Sequence, residues 1–123
     1  MKHWFITGIS SGLGKALAAS VIENRDFVIG TFRTQSQADA FNAQYEGKAH
    51  ALLLDISKEW DIEESIPKII SEFGKIDVLV NNAGIGFAGA VEETSMKEVK
   101  EVFEVNFFGT LTLTQSVLPY MRK

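Results

Sequence analysis

Along this chain, short apolar runs alternate four times with segments whose apolar residues recur every three or four positions. The runs read as buried strands and the periodic segments as helices packed by one face. The first strand is expected over about 3–7, and the first helix continues to about Asn24. On that helix Leu13, Ala16, Leu17, Ser20 and Val21 lie three and four apart, a stripe suited to packing on a sheet. Asn24-Arg25-Asp26 breaks it. Phe27 to Phe32 is a second strand, apolar on both faces as in a buried parallel sheet. A polar helix from about Gln35 to Tyr45 follows, closed by Gly47.

Ala49 to Leu54 reads as the third strand, with Asp55 at its carboxyl end and Ser57 placed to cap the next helix. That helix carries Ile62, Ile66, Ile69, Ile70 and Phe73 on one face and ends at Gly74. Pro67 falls inside the pattern, where proline either kinks a helix or marks its first turn, and both readings stay open. Ile76 to Asn81 is the fourth strand, followed by a loop with Gly84, Gly86 and Gly89. Ser95-Met96-Lys97-Glu98 has the form of a capping box. It opens the longest helix, from Ser95 to about Met121, with Val99, Val102, Phe103, Asn106 and Phe107 along it and Pro119 near its end.

Strands alternating with helices predict an α/β fold: a parallel sheet, helices on both faces, right-handed crossovers. Ligands of such sheets bind beyond the carboxyl ends of the strands. The conspicuous polar and glycine positions all lie at those ends: Thr7 to Gly14, Phe32-Arg33, Asp55 and Asn82-Ala83-Gly84. In the first, Gly8, Gly12 and Gly14 sit between a strand and a helix, so the backbone can turn sharply and a ligand can approach closely. The helix N-terminus turns unpaired N–H groups toward the same spot, and a pyrophosphate is its natural occupant. The plainer reading, a glycine-rich connection, is weakened by agreement of four segments on one edge.

Composition narrows the function classes. The chain has 123 residues, 46% of them apolar and 23% charged, as expected of one globular domain. A net charge of −4 without a basic run argues against nucleic acid. No apolar run approaches the ~20 residues of a membrane span, and a strand at the N-terminus leaves no room for a signal peptide. With no cysteine, the expectation is a cytoplasmic protein. His3 and His50 are isolated, so no metal site is expected. Glu63-Glu64 and Glu92-Glu93 read as solvated faces, Trp4 and Trp60 as core or rim aromatics, and no Gly-x-Ser-x-Gly supports a hydrolase.

These residues resemble the short-chain dehydrogenase/reductase family. Gly8-xxx-Gly12-x-Gly14 after Thr7 is similar to that family's cofactor signature, and Asn81-Asn82-Ala83-Gly84 to its second signature. Asp55 resembles its adenine-contacting aspartate, and Asn106 the asparagine of its catalytic tetrad. The resemblance runs from end to end and implies a Rossmann-type three-layer fold with sheet order 3-2-1-4 in the part present. It implies that Gly8, Ser10, Ser11, Gly12, Leu13 and Gly14 cradle a pyrophosphate and the adjoining ribose. Asp55 would accept from the adenine amino group, with Ile56 against the ring. Asn82, Ala83 and Gly84 would line the nicotinamide ribose, and Asn81 would hold strands together. Asn106 would disturb the long helix and hold a water of the proton relay. Relatives often dimerise through that helix, so a homo-oligomer through Ser95 to Met121 is expected.

Charge bears on the cofactor. NAD users place an acidic residue at the end of the second strand, about 20 residues beyond the glycines, to take the ribose 2′-OH. Here that position is Phe32, and Arg33 follows it. A guanidinium suits a 2′-phosphate, which favours NADP over NAD; the plainer reading leaves Arg33 as a solvated surface residue.

The chain also departs from the family. The catalytic serine, tyrosine and lysine normally lie beyond the long helix. Tyr120 and Lys123 are spaced Tyr-x-x-Lys where the family has Tyr-x-x-x-Lys, so Tyr120 reads as a helix-end aromatic. The expectation is a dinucleotide-binding domain over 1–123, incomplete before a fifth strand, from an NADP-dependent oxidoreductase acting on a carbonyl or alcohol. As given, the chain would be inactive. A non-catalytic dinucleotide-binding module and a pairing half-domain are the alternatives. The loop from Ile85 to Val91 would help shape a substrate pocket without naming its substrate.

Overall fold

The computed structural model describes residues 1–86 and 89–123, so residues 87 and 88 of the Ile85-to-Val91 loop lie outside the described residues. The elements in chain order are β1 (His3–Ile6), α1 (Gly12–Glu23), β2 (Phe27–Phe32), α2 (Gln35–Gln44), β3 (Ala49–Leu53), α3 (Glu59–Phe73) and β4 (Val78–Val80). A 3₁₀ turn over Val91–Glu93 leads into α4 (Met96–Phe103), a π-helical segment (Glu104–Gly109) and α5 (Thr110–Met121). The four strands pair in parallel in the order β3-β2-β1-β4. This is the parallel α/β sheet that the alternation predicted, in the Rossmann-type order that the resemblance implied.

Side chains alternate across the strands and feed two cores. Phe5 and Ile29 pack with Ile62, Ile66 and Ile69 of α3 and Leu113 and Val117 of α5 on one face. Ile6 and Val28 pack with Ala18 and Val21 of α1 and Ala38 of α2 on the other. Buried on both sides, the strands need apolar residues at successive positions, which is what β1 and β2 carry.

Several boundaries and faces differ from the sequence reading. On α1 the buried residues are Gly14, Ala18 and Val21, while Leu13 is 84% exposed and Ala16 and Ser20 are exposed too. The helix is apolar most of the way round, so the period alone left its rotation open. Ser57 does not cap α3. Its N–H and hydroxyl both donate to Asp55 Oδ1, at 3.0 and 2.6 Å, and Lys58 occupies the cap position. Pro67 lies deep inside α3, not in its first turn. Its missing N–H belongs to an exposed stretch of the helix, where the Glu63 carbonyl it would have paired can be solvated. Among the described residues the side-chain bond found for Asn81 runs to a helix and not to a strand: its Nδ2 donates to Thr114 Oγ1 of α5 at 3.1 Å.

The long helix begins as its capping box predicted, with Ser95 Oγ accepting from the Glu98 N–H at 3.2 Å. It is not uniform. The π-helical segment from Glu104 to Gly109 contains Asn106, the position expected to disturb it, and such segments concentrate at functional sites. Pro119 leaves α5 unbroken to Met121.

Candidate dinucleotide site at the strand ends

The site begins with the turn after β1. Gly8 and Gly12 take positive φ values of 69° and 60°, conformations that suit glycine. A methyl at Gly8 would lie 2.9 Å from the Ala83 Cα, and one at Gly14 would run into the Gly8 carbonyl oxygen and the Asn82 amide. The last contact fixes how α1 is rotated: Gly14 must face inward, which turns Leu13 out to solvent.

Three polar side chains brace this turn. Thr7, fully buried, accepts at Oγ1 from the N–H groups of Asn82 and Ala83, at 3.1 and 2.8 Å. Asn82 Nδ2 donates to the Gly8 carbonyl at 3.0 Å. Thr31, 3% exposed on β2, accepts the Gly8 N–H at 2.9 Å. Neither hydroxyl has a role in the sequence reading, although a hydroxyl in an otherwise apolar run signals that some partner exists, because a buried polar group needs one.

With Gly8 held, the segment after it presents free donors. The first bond of the helix runs from the Lys15 N–H to the Ser11 carbonyl at 3.3 Å. Among the described residues no acceptor is found for the N–H groups of Ser10, Ser11, Gly12, Leu13 and Gly14. Five such donors at the positive end of a twelve-residue helix are an arrangement that suits an anion.

The turn opens on a groove of about 400 Å³ over the carboxyl ends of the strands. Gly8, Ser10 and Ser11 line it with Arg33, Asp55 and Ile56 and with Asn82, Ala83 and Gly84. Nine of the expected site residues thus share one groove. Gly12, Leu13 and Gly14 stand beside it on α1, and Asn106 contributes through its neighbours. Ile85 and Val105 also line it.

The charged groups are few. Phe32 is buried and packs on Phe41 with ring centroids 5.4 Å apart, so the end of β2 offers no carboxylate. Arg33 beside it is exposed. Burial pushes the Asp55 carboxyl up, but the Ser57 hydroxyl and N–H, with the charges of Lys58 and Arg33, outweigh it and hold the group below its ordinary 3.8. Asp55 is therefore an anionic acceptor at neutral pH, with Oδ1 engaged by Ser57. Asn106 spends both ends of its amide on one residue. Its Oδ1 accepts the Ile85 N–H at 2.8 Å and its Nδ2 donates to the Ile85 carbonyl at 2.7 Å. Tyr120 lies outside the groove, packed against the core, with Lys123 Nζ 5.8 Å from its ring centre.

Known proteins agree with this architecture. The short chain dehydrogenase family matches residues 2–123. The 3-ketodihydrosphingosine reductase of Bacteroides thetaiotaomicron is 41% identical over 118 residues, covering 96% of this chain and 41% of that protein. The NADPH-dependent 3-dehydrocapnine reductase of Ornithobacterium rhinotracheale is 32% identical, covering 96% and 42%. The chain thus spans less than half the length of these curated relatives. Among solved structures, a short-chain dehydrogenase from Streptomyces avermitilis superposes with a TM-score of 0.94 at 40% identity, over 98% of this chain and 44% of that one. A 3-ketoacyl-(acyl-carrier-protein) reductase from Brucella melitensis, solved with NADH, gives 0.90 at 32%, over 97% and 50%. A family match over residues 2–123 makes this chain a member of the short-chain dehydrogenase family of oxidoreductases.

Proposed function

We propose that this chain is the cofactor-binding part of an NADP(H)-dependent oxidoreductase that interconverts an alcohol and a ketone or aldehyde. The observation that carries the reading is the row of five unpaired N–H groups, residues 10–14, beside a groove that joins Arg33 and Asp55 to Asn82-Ala83-Gly84. Such a row suits a pyrophosphate. Asp55 would accept from an adenine amino group with Ile56 beside the ring, and Asn82, Ala83 and Gly84 would line the second ribose. Arg33 would pair with a 2′-phosphate, supported by the absence of a carboxylate at Phe32. An NADPH-dependent relative and an NADH-bound one both exist, so the choice rests on these two residues.

NADPH, when bound, supplies the hydride. The chain's own part is to hold and orient. Asn106, by gripping the Ile85 backbone from the π-helical segment, fixes the chain beyond Gly84 at the groove wall. This occupies both ends of its side-chain amide. Among the described residues the groove lining contains no tyrosine, lysine or histidine to protonate a carbonyl, and we expect no turnover from this chain alone.

Phe103, Phe107 and Leu111 lie four apart along the long helix and are 53%, 55% and 46% exposed, an apolar stripe that favours a homo-oligomer through that helix. A monomer by sedimentation at high protein concentration would contradict it. Among the described residues no helix is long and apolar enough to cross a membrane. The cofactor reading is tested by thermal unfolding. NADPH at 100 times its Kd should stabilise the chain by about 2.7 kcal/mol, and an unchanged melting temperature at millimolar NADPH would contradict it.

A further inference from the structure

Gly8 is the hinge of the phosphate turn, and its peptide groups are held on both sides. Asn82 Nδ2 takes its carbonyl at 3.0 Å, and Ala83 stands against its Cα. Its N–H is donated inward, at 2.9 Å, to the hydroxyl of Thr31. Gly8 therefore contributes no free N–H to the groove. The next residue is tied to the same strand position, since the Ile9 N–H donates to the Thr31 carbonyl at 3.2 Å. Thr31 thus fixes two successive residues immediately before the free donors at residues 10–14. Its side chain is 3% exposed and sits between Gly30 and Phe32 in a strand that is otherwise apolar. Packing alone would be served equally well by valine, which has the same shape.

We propose that Thr31 is a positioning residue for the dinucleotide: its hydroxyl sets the Gly8 peptide so that the N–H groups after it converge on the phosphates. The inference rests on the dinucleotide reading above and assigns this residue a part in it. Without the hydroxyl, the part-buried Gly8 N–H loses its acceptor, and such a group costs enough for the turn to relax toward another partner. A ligand must then pull the turn back, and its affinity falls by the energy of that relaxation. The phosphates are common to NADPH and NADH, so both lose by the same factor. This separates Thr31 from Arg33, whose charge bears on the 2′-phosphate alone.

The experiment compares wild type, Thr31→Val and Thr31→Ser by titration with NADPH and NADH, followed by nucleotide fluorescence well below each melting temperature. Thr31→Val should weaken both nucleotides by about tenfold, for one lost bond at the turn. Thr31→Ser, which restores the hydroxyl, should bind within about twofold of wild type. Wild-type affinity in Thr31→Val, equal loss in Thr31→Ser, or a changed NADPH-to-NADH ratio would each overturn the assignment. Amide exchange on the folded wild-type chain is a check that needs no variant. The Gly8 N–H should be protected, and exchange at the rate of an open peptide would overturn the proposal. Failure of wild type to bind either nucleotide would instead remove the dinucleotide reading, and this inference with it.

Discussion

Phe32 and Arg33 both line the groove, yet Phe32 is buried against the core and Arg33 is exposed. That division is why the end of β2 presents a cation and no carboxylate. A charge-assisted bond from Arg33 to a 2′-phosphate is worth roughly 1.5–3 kcal/mol, and exposure puts it at the low end. Arg33→Ala should therefore weaken NADPH about tenfold and leave NADH unchanged in paired titrations. Asp77 makes a different kind of contribution. The His3 N–H at 2.7 Å, and Lys75 at 3.1 Å, hold its carboxyl below the ordinary 3.8. A lowered folded value means the stabilisation is complete above 3.8 and is lost as pH falls through the folded value. Asp77→Asn should lower the urea midpoint at pH 7, with the gap to wild type closing as the solution is acidified below 3.8. Residues with a motif, such as Gly8, Asp55 and Asn82, were legible from spacing. Thr7 and Thr31 were not, because nothing in the sequence says which buried peptide a hydroxyl will meet.

At the scale of elements, periodicity located the helices better than it oriented them. α3 buries Ile62, Ile66 and Ile69 as its pattern predicted, because its opposite face is charged. α1 is apolar nearly all round, and a tertiary contact, Gly14 against the Gly8 carbonyl, decided its rotation. β4 is three residues long where six were expected. Asp77 is engaged with His3 and Lys75 before it, and Asn81 with α5 after it. The end of α1 carries a testable cost. The Arg25 N–H donates to the Ile22 carbonyl at 3.0 Å and the Asp26 N–H to the Val21 carbonyl at 3.2 Å, a Schellman closure whose left-handed position holds Arg25 at φ 66°. Glycine suits that position better than any side chain. Arg25→Gly should raise stability by about 0.5–1 kcal/mol in urea denaturation, and a loss of stability would show that the Arg25 side chain makes a compensating contact.

At the scale of the molecule, strand order is what makes the site. Placing β1 between β2 and β4 brings the glycine turn, Arg33 and Asn82-Ala83-Gly84 to one edge, although they are far apart in sequence. That convergence could be anticipated because alternating strands and helices admit few topologies. The grip of Asn106 on Ile85 could not, since it needs the path of the loop between β4 and α4. β4 is the edge strand on that side, and relatives about twice as long carry the same arrangement at high structural similarity. The central claim is that this edge holds a dinucleotide and prefers the 2′-phosphorylated one. Parallel fluorescence titrations of the wild-type chain with NADPH and NADH test it most directly. Saturable binding of both, with NADPH tighter by about tenfold, is the expected result. Equal affinities would contradict the role given to Arg33, and no saturable binding of either would contradict the site itself.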